Sequence, residues 1–472
     1  MSASSSNFVN FPSDLQAALQ VDFLNREFEE GLDSVLAYRR MALQETINAR
    51  IGETLTRTRK GRTPPQIDPL SGAQVNANLD NSLSPESYQV EQYTLTLNQY
   101  AATQDVNILQ ELAGIADQVI AAARNNGVSA AQTLERLAKI QLFAAYNGGN
   151  TFVRSDLGTN SLTEVYVDDI RGFRYLNYNG QLVPVSATTP LTVYEYATSS
   201  TGVTQSFQVV GTAATSTNLS YFPGSNGAGS TDGISGVLLI SGATSVPVPH
   251  DAIISANAPT IMRPGGKMTT AELTGNDVLT LSSILNAVAY LRNNGVPALS
   301  NGDYACILDN ASMRQLFSDQ QFIMYFAGRD QSPEIRSGDI VRIMGVTFIP
   351  TTEAYVQLPV PGVIQTTVRR PIVMGAEALI QGNFEGMDMW LNRKGVAGNT
   401  VSEVMLVNGV AQILRVPLDR LQQSLSLSWS WVGGFTTPTD ITATSDIIPT
   451  VGQNITGGNP LYKRCVVIET AG

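Results

Sequence analysis

The chain is poor in the residues that carry chemistry. Its 472 residues include one histidine and two cysteines. A single imidazole excludes the common zinc patterns, which draw on several Cys or His ligands. Two thiols, Cys306 and Cys465, cannot build a disulfide scaffold. Each lies in an apolar run, so both are read as buried. No stretch of about 18 apolar residues occurs, and no membrane-spanning helix is expected. The start of the chain lacks a basic n-region and an apolar h-region, so a secretory signal is not expected. Cations are also outnumbered: 29 Lys and Arg stand against 40 Asp and Glu, a net charge of -11. An acidic chain is a poor general nucleic-acid binder, because phosphate binding rests on Lys and Arg. DNA near it would be contained rather than gripped.

Catalytic constellations are missing too. His250 ends the run Val246-Pro247-Val248-Pro249-His250-Asp251. It would be the sole base for a Ser-His-Asp triad, and no G-x-S-x-G elbow accompanies it. Arg263-Pro264-Gly265-Gly266-Lys267 resembles half a phosphate loop but lacks the earlier glycine and the Ser or Thr after the lysine. Asp168-Asp169, at the end of a strand-like run, is expected to be a solvated acidic pair. No catalytic, cofactor-binding or metal-ligating residue is assigned, and no enzyme is expected.

What is present is length and patterning. With 43% hydrophobic residues the chain can bury a large core, in two or more domains. From Asp105 to Arg124 the residues Ile108, Leu109, Leu112, Ile115, Val119 and Ile120 recur at helical spacing. Asn125-Asn126-Gly127 offers a left-handed stop, and Ser129 opens a second helix with Leu134, Leu137 and Ile140. Strand-like sequence flanks this block on both sides, so residues 103–150 read as a spine on which sheets are laid.

Before it, residues 1–50 read as a polar arm followed, from Leu15 to Arg50, by broken helices that lie on a partner. Residues 51–102 read as two strands, Thr54 to Arg59 and Tyr88 to Leu97, alternating with period two. The Pro-, Asn- and Ser-rich tip between them cannot stand alone and should lie on a neighbouring copy. Arg57, Arg59, Lys60 and Arg62 form the densest basic cluster. It reads as a solvated face or as an inter-subunit contact to an acidic neighbour. Nucleic acid comes third, because nothing aromatic interleaves the cluster.

After the spine, residues 151–264 switch to short strands and turns, with Asn179-Gly180 as a hairpin signal. The spacing suggests an all-β sandwich or small barrel inserted into another fold. Residues 265–370 return to helix (Thr274 to Arg292), a buried strand (Tyr304 to Leu308), a helix through Leu316 and a hairpin (Asp339 to Ile349). Residues 371–472 are strand-rich: Pro371 to Leu379, Val404 to Val416, Ser424 to Trp431 and Arg464 to Glu469. In Ser424 to Trp431 leucines and tryptophans alternate strictly with serines, the signature of a sheet with one face on the core. The fold class is α+β.

This order of parts resembles the major capsid proteins of tailed bacteriophages, the Hong-Kong-97-type or Johnson fold. Tyr88 to Tyr93 before the spine looks like the return strand of that family's E-loop. Asn301-Gly302-Asp303-Tyr304 into Asp309, then Ile343 to Pro350, looks like its axial A-domain. Pro371 to Leu379 and Tyr462 to Val467 look like strands of its peripheral P-domain. The resemblance covers nearly everything outside 151–264, and it lies in the order rather than in one motif. It implies self-assembly into hexamers and pentamers of an icosahedral head around double-stranded DNA. The implied partners are copies of the chain, a portal, scaffolding proteins and decoration proteins, without sequence-specific DNA binding and without a membrane. The implied location is the virion, after synthesis in the host bacterial cytoplasm. Lys60 is the sole lysine of the E-loop region, but no motif supports a covalent crosslink. Two alternatives stay open: an encapsulin-like compartment with the same fold, and a carbohydrate-binding phage surface β-protein.

Overall fold

In the computed structural model the described residues are 26–32, 37–47, 52–60, 90–107, 118–178, 181–198, 202–214, 234–327, 342–385, 402–415, 424–439 and 462–472. The chain forms two compact units. The first takes Met1–Leu55, Leu95–Ala138 and Ile380–Phe435; the second takes Thr56–Thr94, Lys139–Leu379 and Thr436–Gly472.

The first unit is a sheet against helices. Its strands run in the order Leu43–Ile47, Ile380–Phe384, Ser424–Thr436, Val410–Arg415, Ser402–Val407, and Asn98–Asn107 also pairs with Ser424–Thr436. The serine–leucine–tryptophan alternation sets the sheet's two faces. Leu427, Trp429 and Trp431 are buried, while Ser428 meets Thr103 at 2.8 Å on the opposite face. Trp429 and Trp431 pack on Phe28, Leu32, Ala130, Ala131 and Leu134. Burying a large apolar side chain contributes about 1.5–3 kcal/mol, so this cluster is the unit's main apolar support.

The long helix differs from expectation. It is one element, Gln118–Tyr146, about 44 Å long at 1.5 Å per residue. Asp105 to Asn107 belong to the preceding strand, and Ile108 to Asp117 lie outside the described residues. Asn125-Asn126-Gly127 does not stop the helix. Gly127 is there for packing: a Cβ on it would lie 2.3 Å from the Phe28 carbonyl oxygen, and one on Gly31 would lie 2.6 Å from that of Arg124. Two helices approach backbone to backbone at these glycines. Asn126 is buried and donates to the Leu427 carbonyl at 3.0 Å, tying helix to sheet.

The N-terminal region also differs. Leu43–Ile47 is a strand, parallel to Ile380–Phe384, instead of helix. The helix at 26–32 packs on its own unit through Phe28 and Leu32. The single run expected over Val404 to Val416 is two strands up to Arg415, and Val416 lies outside the described residues. Asn408 (φ 49°) and Gly409 (φ 81°) form the turn between Ser402–Val407 and Val410–Arg415. Positive φ at both central residues is the I′ geometry that Asn-Gly favours.

In the second unit, the strands Asn150–Phe152, Ala252–Ser255, Leu191–Tyr196, Val203–Ala214, Gly236–Ser241 and Glu164–Val167 lie side by side in that order, all pairs antiparallel. The two ends of the row meet. Val153 bridges Val167, and the Arg154 N–H donates to the Tyr166 carbonyl at 2.8 Å. The sequence admits a sandwich or a small barrel, and these strands close into a barrel. Its interior holds Val153, Val165, Val167, Leu191, Val193, Phe207, Val209, Leu238, Ile240 and Ile253. Asn150 stands opposite Ile254, so the chain enters and leaves the barrel at one place. Tyr175–Tyr178 pairs with Gln181–Pro184 as a separate hairpin, and Asn179-Gly180 itself lies outside the described residues.

The second unit also holds a six-stranded sheet in the order Ile261–Met262, Cys465–Ile468, Ile372–Met374, Tyr304–Leu308, Val346–Pro350, Arg342–Ile343, and a three-stranded one in the order Val356–Gln357, Val368–Arg369, Thr470–Ala471. Leu281–Asn293 packs on the six-stranded sheet through Ile284, Val288 and Leu291. That helix starts at Leu281, later than the sequence pattern suggests, because the Thr280 side chain accepts the Ser283 N–H and caps it there. The Arg342–Ile343 and Val346–Pro350 hairpin turns at Met344 and Gly345, both with positive φ. Tyr304–Leu308 and Cys465–Ile468 are buried along their whole length. Cys306 and Cys465 are both buried, and burial pushes the Cys306 thiol up to about 12.

Gly127→Ala separates the packing role from a helix-stop role. Alanine in a helix is favoured by about 1 kcal/mol over glycine. The blocked approach to Phe28 is expected to outweigh this, with a net loss of about 1–3 kcal/mol in denaturant unfolding. A stabilised variant would show that the two backbones do not meet there.

Candidate assembly elements and the buried charge cluster

The strands Thr54–Lys60 and Val90–Thr96 pair with each other as a two-stranded ribbon. On the first strand Thr54, Thr56, Arg57 and Thr58 are exposed and Leu55 is half-buried. On the second, Gln92, Thr94 and Thr96 are exposed, Tyr93 is half-buried and Leu95 is buried. Leu95 sits against Gly382, where an added Cβ would come within 2.2 Å of its Cδ2. A two-stranded ribbon is marginal in water by itself. Of the expected basic cluster, the structure places Arg57 on the exposed side of this ribbon. Arg59 and Lys60 lie on the same strand, and Arg62 lies outside the described residues.

Sequence reasoning missed the strongest polar construction in the chain. Asp168 and Asp169 are not solvated; each is 3% exposed. Asp169 holds Arg171 through both carboxylate oxygens, at 2.8 to 3.1 Å. Asp168 accepts Arg154 Nη1 at 2.8 Å and Gln357 Nε2 at 3.1 Å. Arg154 also grips Asp156, at 2.6 and 2.9 Å. Gln357 Oε1 in turn accepts Arg370 Nη2, and Arg370 Nε donates to Glu469, both at 2.8 Å. Glu469 also accepts Arg263 Nε at 2.8 Å and the Thr270 hydroxyl at 2.7 Å. Arg370 and Arg171 lie over the Tyr355 ring, at 4.5 and 5.9 Å from its centroid. No local pattern announces the network, because Arg154, Asp168, Arg263, Arg370 and Glu469 come together only in the fold.

The electrostatics follow from burial. Isolation from water would push the Glu469 carboxyl up, but Arg263 and Arg370 overcome this and hold it at about 2. Burial pushes the Asp168 carboxyl up, with Arg154 and Gln357 pulling the other way. The same wiring disposes of the half phosphate loop. Arg263 is committed to Glu469 and to the Met268 carbonyl, and Lys267 to Asp277 and the Glu272 carbonyl. His250 sits in a turn with φ 74°, its N–H donated to the Val153 carbonyl. Among the described residues no group of three His, Cys, Asp or Glu side chains could hold a metal ion. Among them, too, no helix is long and apolar enough to cross a membrane.

No protein-family model matches the chain, and no curated protein matches it. Many of its neighbours among solved structures are phage capsid proteins. It is similar to the capsid of Ralstonia phage GP4, at 10% identity and a TM-score of 0.47, over 92% of this chain and 87% of that one. It is similar to the capsid of cyanophage Pam1, at 10% identity and a TM-score of 0.43, over 100% of this chain and 96% of that one. A virus-like particle from Pyrococcus furiosus is similar at 8% identity and a TM-score of 0.34, over 95% and 98%.

Glu469→Gln tests the cluster. It removes the carboxylate that Arg263 and Arg370 both contact while leaving them buried, and a loss of about 3–5 kcal/mol at neutral pH is expected. A depressed carboxylate stabilises above its unfolded value and loses that contribution as pH falls. The gap between wild type and variant should therefore close as pH drops from 4.5 toward about 2. Denaturant titrations across that range check it.

Proposed function

We propose that the chain is the major capsid protein of a tailed bacteriophage, with the Hong-Kong-97-type fold. It assembles as hexamers and pentamers into an icosahedral head that encloses double-stranded DNA. The observation that carries this reading is the ribbon Thr54–Lys60 with Val90–Thr96. It is a pair of strands whose side chains are largely exposed, in a chain whose other described strands belong to larger sheets or to the barrel and its hairpin. Such a ribbon gains its missing burial by lying across a second copy, and Arg57 on it meets a chain that carries net charge -11.

The remaining features agree with a structural role. Arg154, Arg171, Arg263 and Arg370 are buried and committed to carboxylates of the same chain, and the acidic balance suits a container that must not bind its contents tightly. In this reading the ribbon is the E-loop, the helix Gln118–Tyr146 is the spine and the barrel is an inserted domain. A portal, scaffolding proteins and decoration proteins complete the particle. The protein is made in the host bacterial cytoplasm and resides in the virion without catalytic activity.

Deleting Arg59 to Asp80 is expected to leave a soluble, folded chain that cannot close shells. Circular dichroism reports the fold; electron microscopy with light scattering reports assembly. Normal particles from the deletion would overturn the assignment of the ribbon. If the intact chain remains a small oligomer even with a scaffolding partner, the shell reading itself fails.

A further inference from the structure

Seven asparagines in the sequence are followed by glycine, and five of these steps lie among the described residues: Asn126, Asn147, Asn294, Asn301 and Asn408. Such a step is a reactive unit. The glycine nitrogen can attack the carbonyl carbon of the asparagine side chain, and no Cβ on the glycine stands in the way. Folding decides which steps react, because attack needs an uncommitted nitrogen, a side chain that can swing toward it, and water.

Four of the five are blocked. Asn126 is 2% exposed inside the helix Gln118–Tyr146, with its amide on the Leu427 carbonyl. Asn147 and Asn294 are 3% and 5% exposed, and Gly295 donates its N–H to the Arg292 carbonyl at 2.9 Å. Asn301 is exposed, but its Oδ1 accepts the Asp303 N–H at 3.0 Å and its Nδ2 donates to the Thr347 hydroxyl at 3.4 Å. Gly302 spends its own N–H on the Leu299 carbonyl at 2.8 Å. Asn408 differs at both ends of the reaction. Its side chain is exposed and makes no hydrogen bond among the described residues, and neither does the Gly409 N–H.

We propose that Asn408 is a self-modification site, converted without an enzyme to aspartate or isoaspartate. The Gly409 nitrogen gives its proton to solvent base and bonds to the side-chain carbonyl carbon of Asn408, and the side-chain nitrogen leaves as ammonia. Water then opens the cyclic imide at either carbonyl, one opening giving aspartate and the other isoaspartate. One water is consumed, one ammonia is released, and nothing is oxidised or reduced.

The turn controls the rate and gives the product a consequence. Asn408 at φ 49° and Gly409 at φ 81° hold the I′ turn between Val407 and Val410, and ring closure requires Asn408 to rotate out of it. That turn leads off the outermost strand of its sheet, Ser402–Val407, where local opening costs little. Isoaspartate carries the backbone through one extra carbon, which a two-residue I′ turn does not accommodate. The Asn408 carbonyl accepts Arg39 Nη2 at 2.8 Å, and Arg39 is buried. Asn408 also lines a cavity of about 440 Å³ together with Arg39, Arg40 and Asn383. Modification therefore adds a negative charge to a cavity lined by two guanidinium groups and displaces the carbonyl that holds one of them. The site stands whether or not the chain builds a shell.

The test incubates the intact chain in mildly alkaline buffer and follows each asparagine by peptide mapping in the mass spectrometer, with isoaspartate assayed separately. Conversion at Asn408 is expected to be at least about tenfold faster than at Asn126, Asn147, Asn294 or Asn301, a barrier lower by about 1.4 kcal/mol. It should accelerate as pH rises, because the attacking nitrogen must lose its proton. In denaturant the five steps should converge to similar rates, since each has glycine next and the protection comes from the fold. Asn408→Gln moves the side-chain carbonyl one carbon farther from the nitrogen, and conversion at that position should cease. An Asn408 that stays intact while the denatured chain converts, or that converts no faster than Asn301, would overturn the assignment.

Discussion

The second unit depends on keeping charge out of water without leaving any of it alone. Glu469 lies three residues from the end of the chain and accepts hydrogen bonds from Arg263 and Arg370, residues far from it in sequence and on other elements. Removing a carboxylate from water costs several kcal/mol, and the cost is recovered only in good geometry with added hydrogen bonds. Glu469 meets that condition with two guanidinium groups and one hydroxyl. The chain must therefore bring the strand Cys465–Ile468 back into the sheet, between Ile261–Met262 and Ile372–Met374. Apolar contacts alone would tolerate several registers of such short strands. A carboxylate that needs these particular partners tolerates one.

The same constraint couples the barrel to the sheet within this unit. Arg154 and Asp168 belong to the seam where the barrel closes, and Gln357 passes the connection to Arg370. Gln357 suits that position because its amide donates to a carboxylate on one side and accepts from a guanidinium on the other. A second acid there would repel Asp168, and a second cation would repel Arg370. In the first unit one carboxylate does related work on a smaller scale. Glu135, on the long helix, accepts the N–H groups of Ala37, Tyr38 and Arg39 at 2.8 to 3.0 Å. These amides open the short helix Tyr38–Met41, whose own N-cap residue, Ala37, offers no side-chain acceptor. The long helix thus supplies the cap that the local sequence lacks, and the first turn's partial positive charge stabilises the carboxylate.

What could be read in the sequence follows from how local each signal is. The serine–leucine–tryptophan strand was legible because period-two alternation states its own faces, and Trp429 and Trp431 do lie on the core side. The strands Tyr304–Leu308 and Cys465–Ile468 were legible as unbroken apolar runs, which is how doubly covered strands look. Errors came where a local signal was overruled from a distance. Asn125-Asn126-Gly127 has the chemistry of a helix stop, but Phe28 and Leu427 both use it for tertiary contacts. Leu43–Ile47 carries helix formers, and its parallel pairing with Ile380–Phe384 decides for strand. Asn408-Gly409 was a local signal passed over inside a longer apolar run. Asp168-Asp169 looked like surface because its guanidinium partners are assigned by the fold, not by spacing.

The distribution of polar groups bears on what such a chain is built to do. An enzyme or ligand-binding site leaves polar groups pointing into a cleft, because the substrate completes their hydrogen bonds. Here the conspicuous buried charges, at Arg154, Asp168, Arg263, Arg370 and Glu469, complete one another. They confer order on the fold and direct nothing outward. What the chain does direct outward is extended backbone: a ribbon with exposed threonines and an arginine, and a ten-residue strand, Asn98–Asn107, with Gln99, Ala101, Thr103 and Asp105 exposed. Surfaces of this kind offer repeated, shallow contact over a long distance, which suits tiling by many copies better than capture of one molecule. Each contact can be weak, since a subunit in a closed shell makes many at once and the shell disassembles only if they fail together.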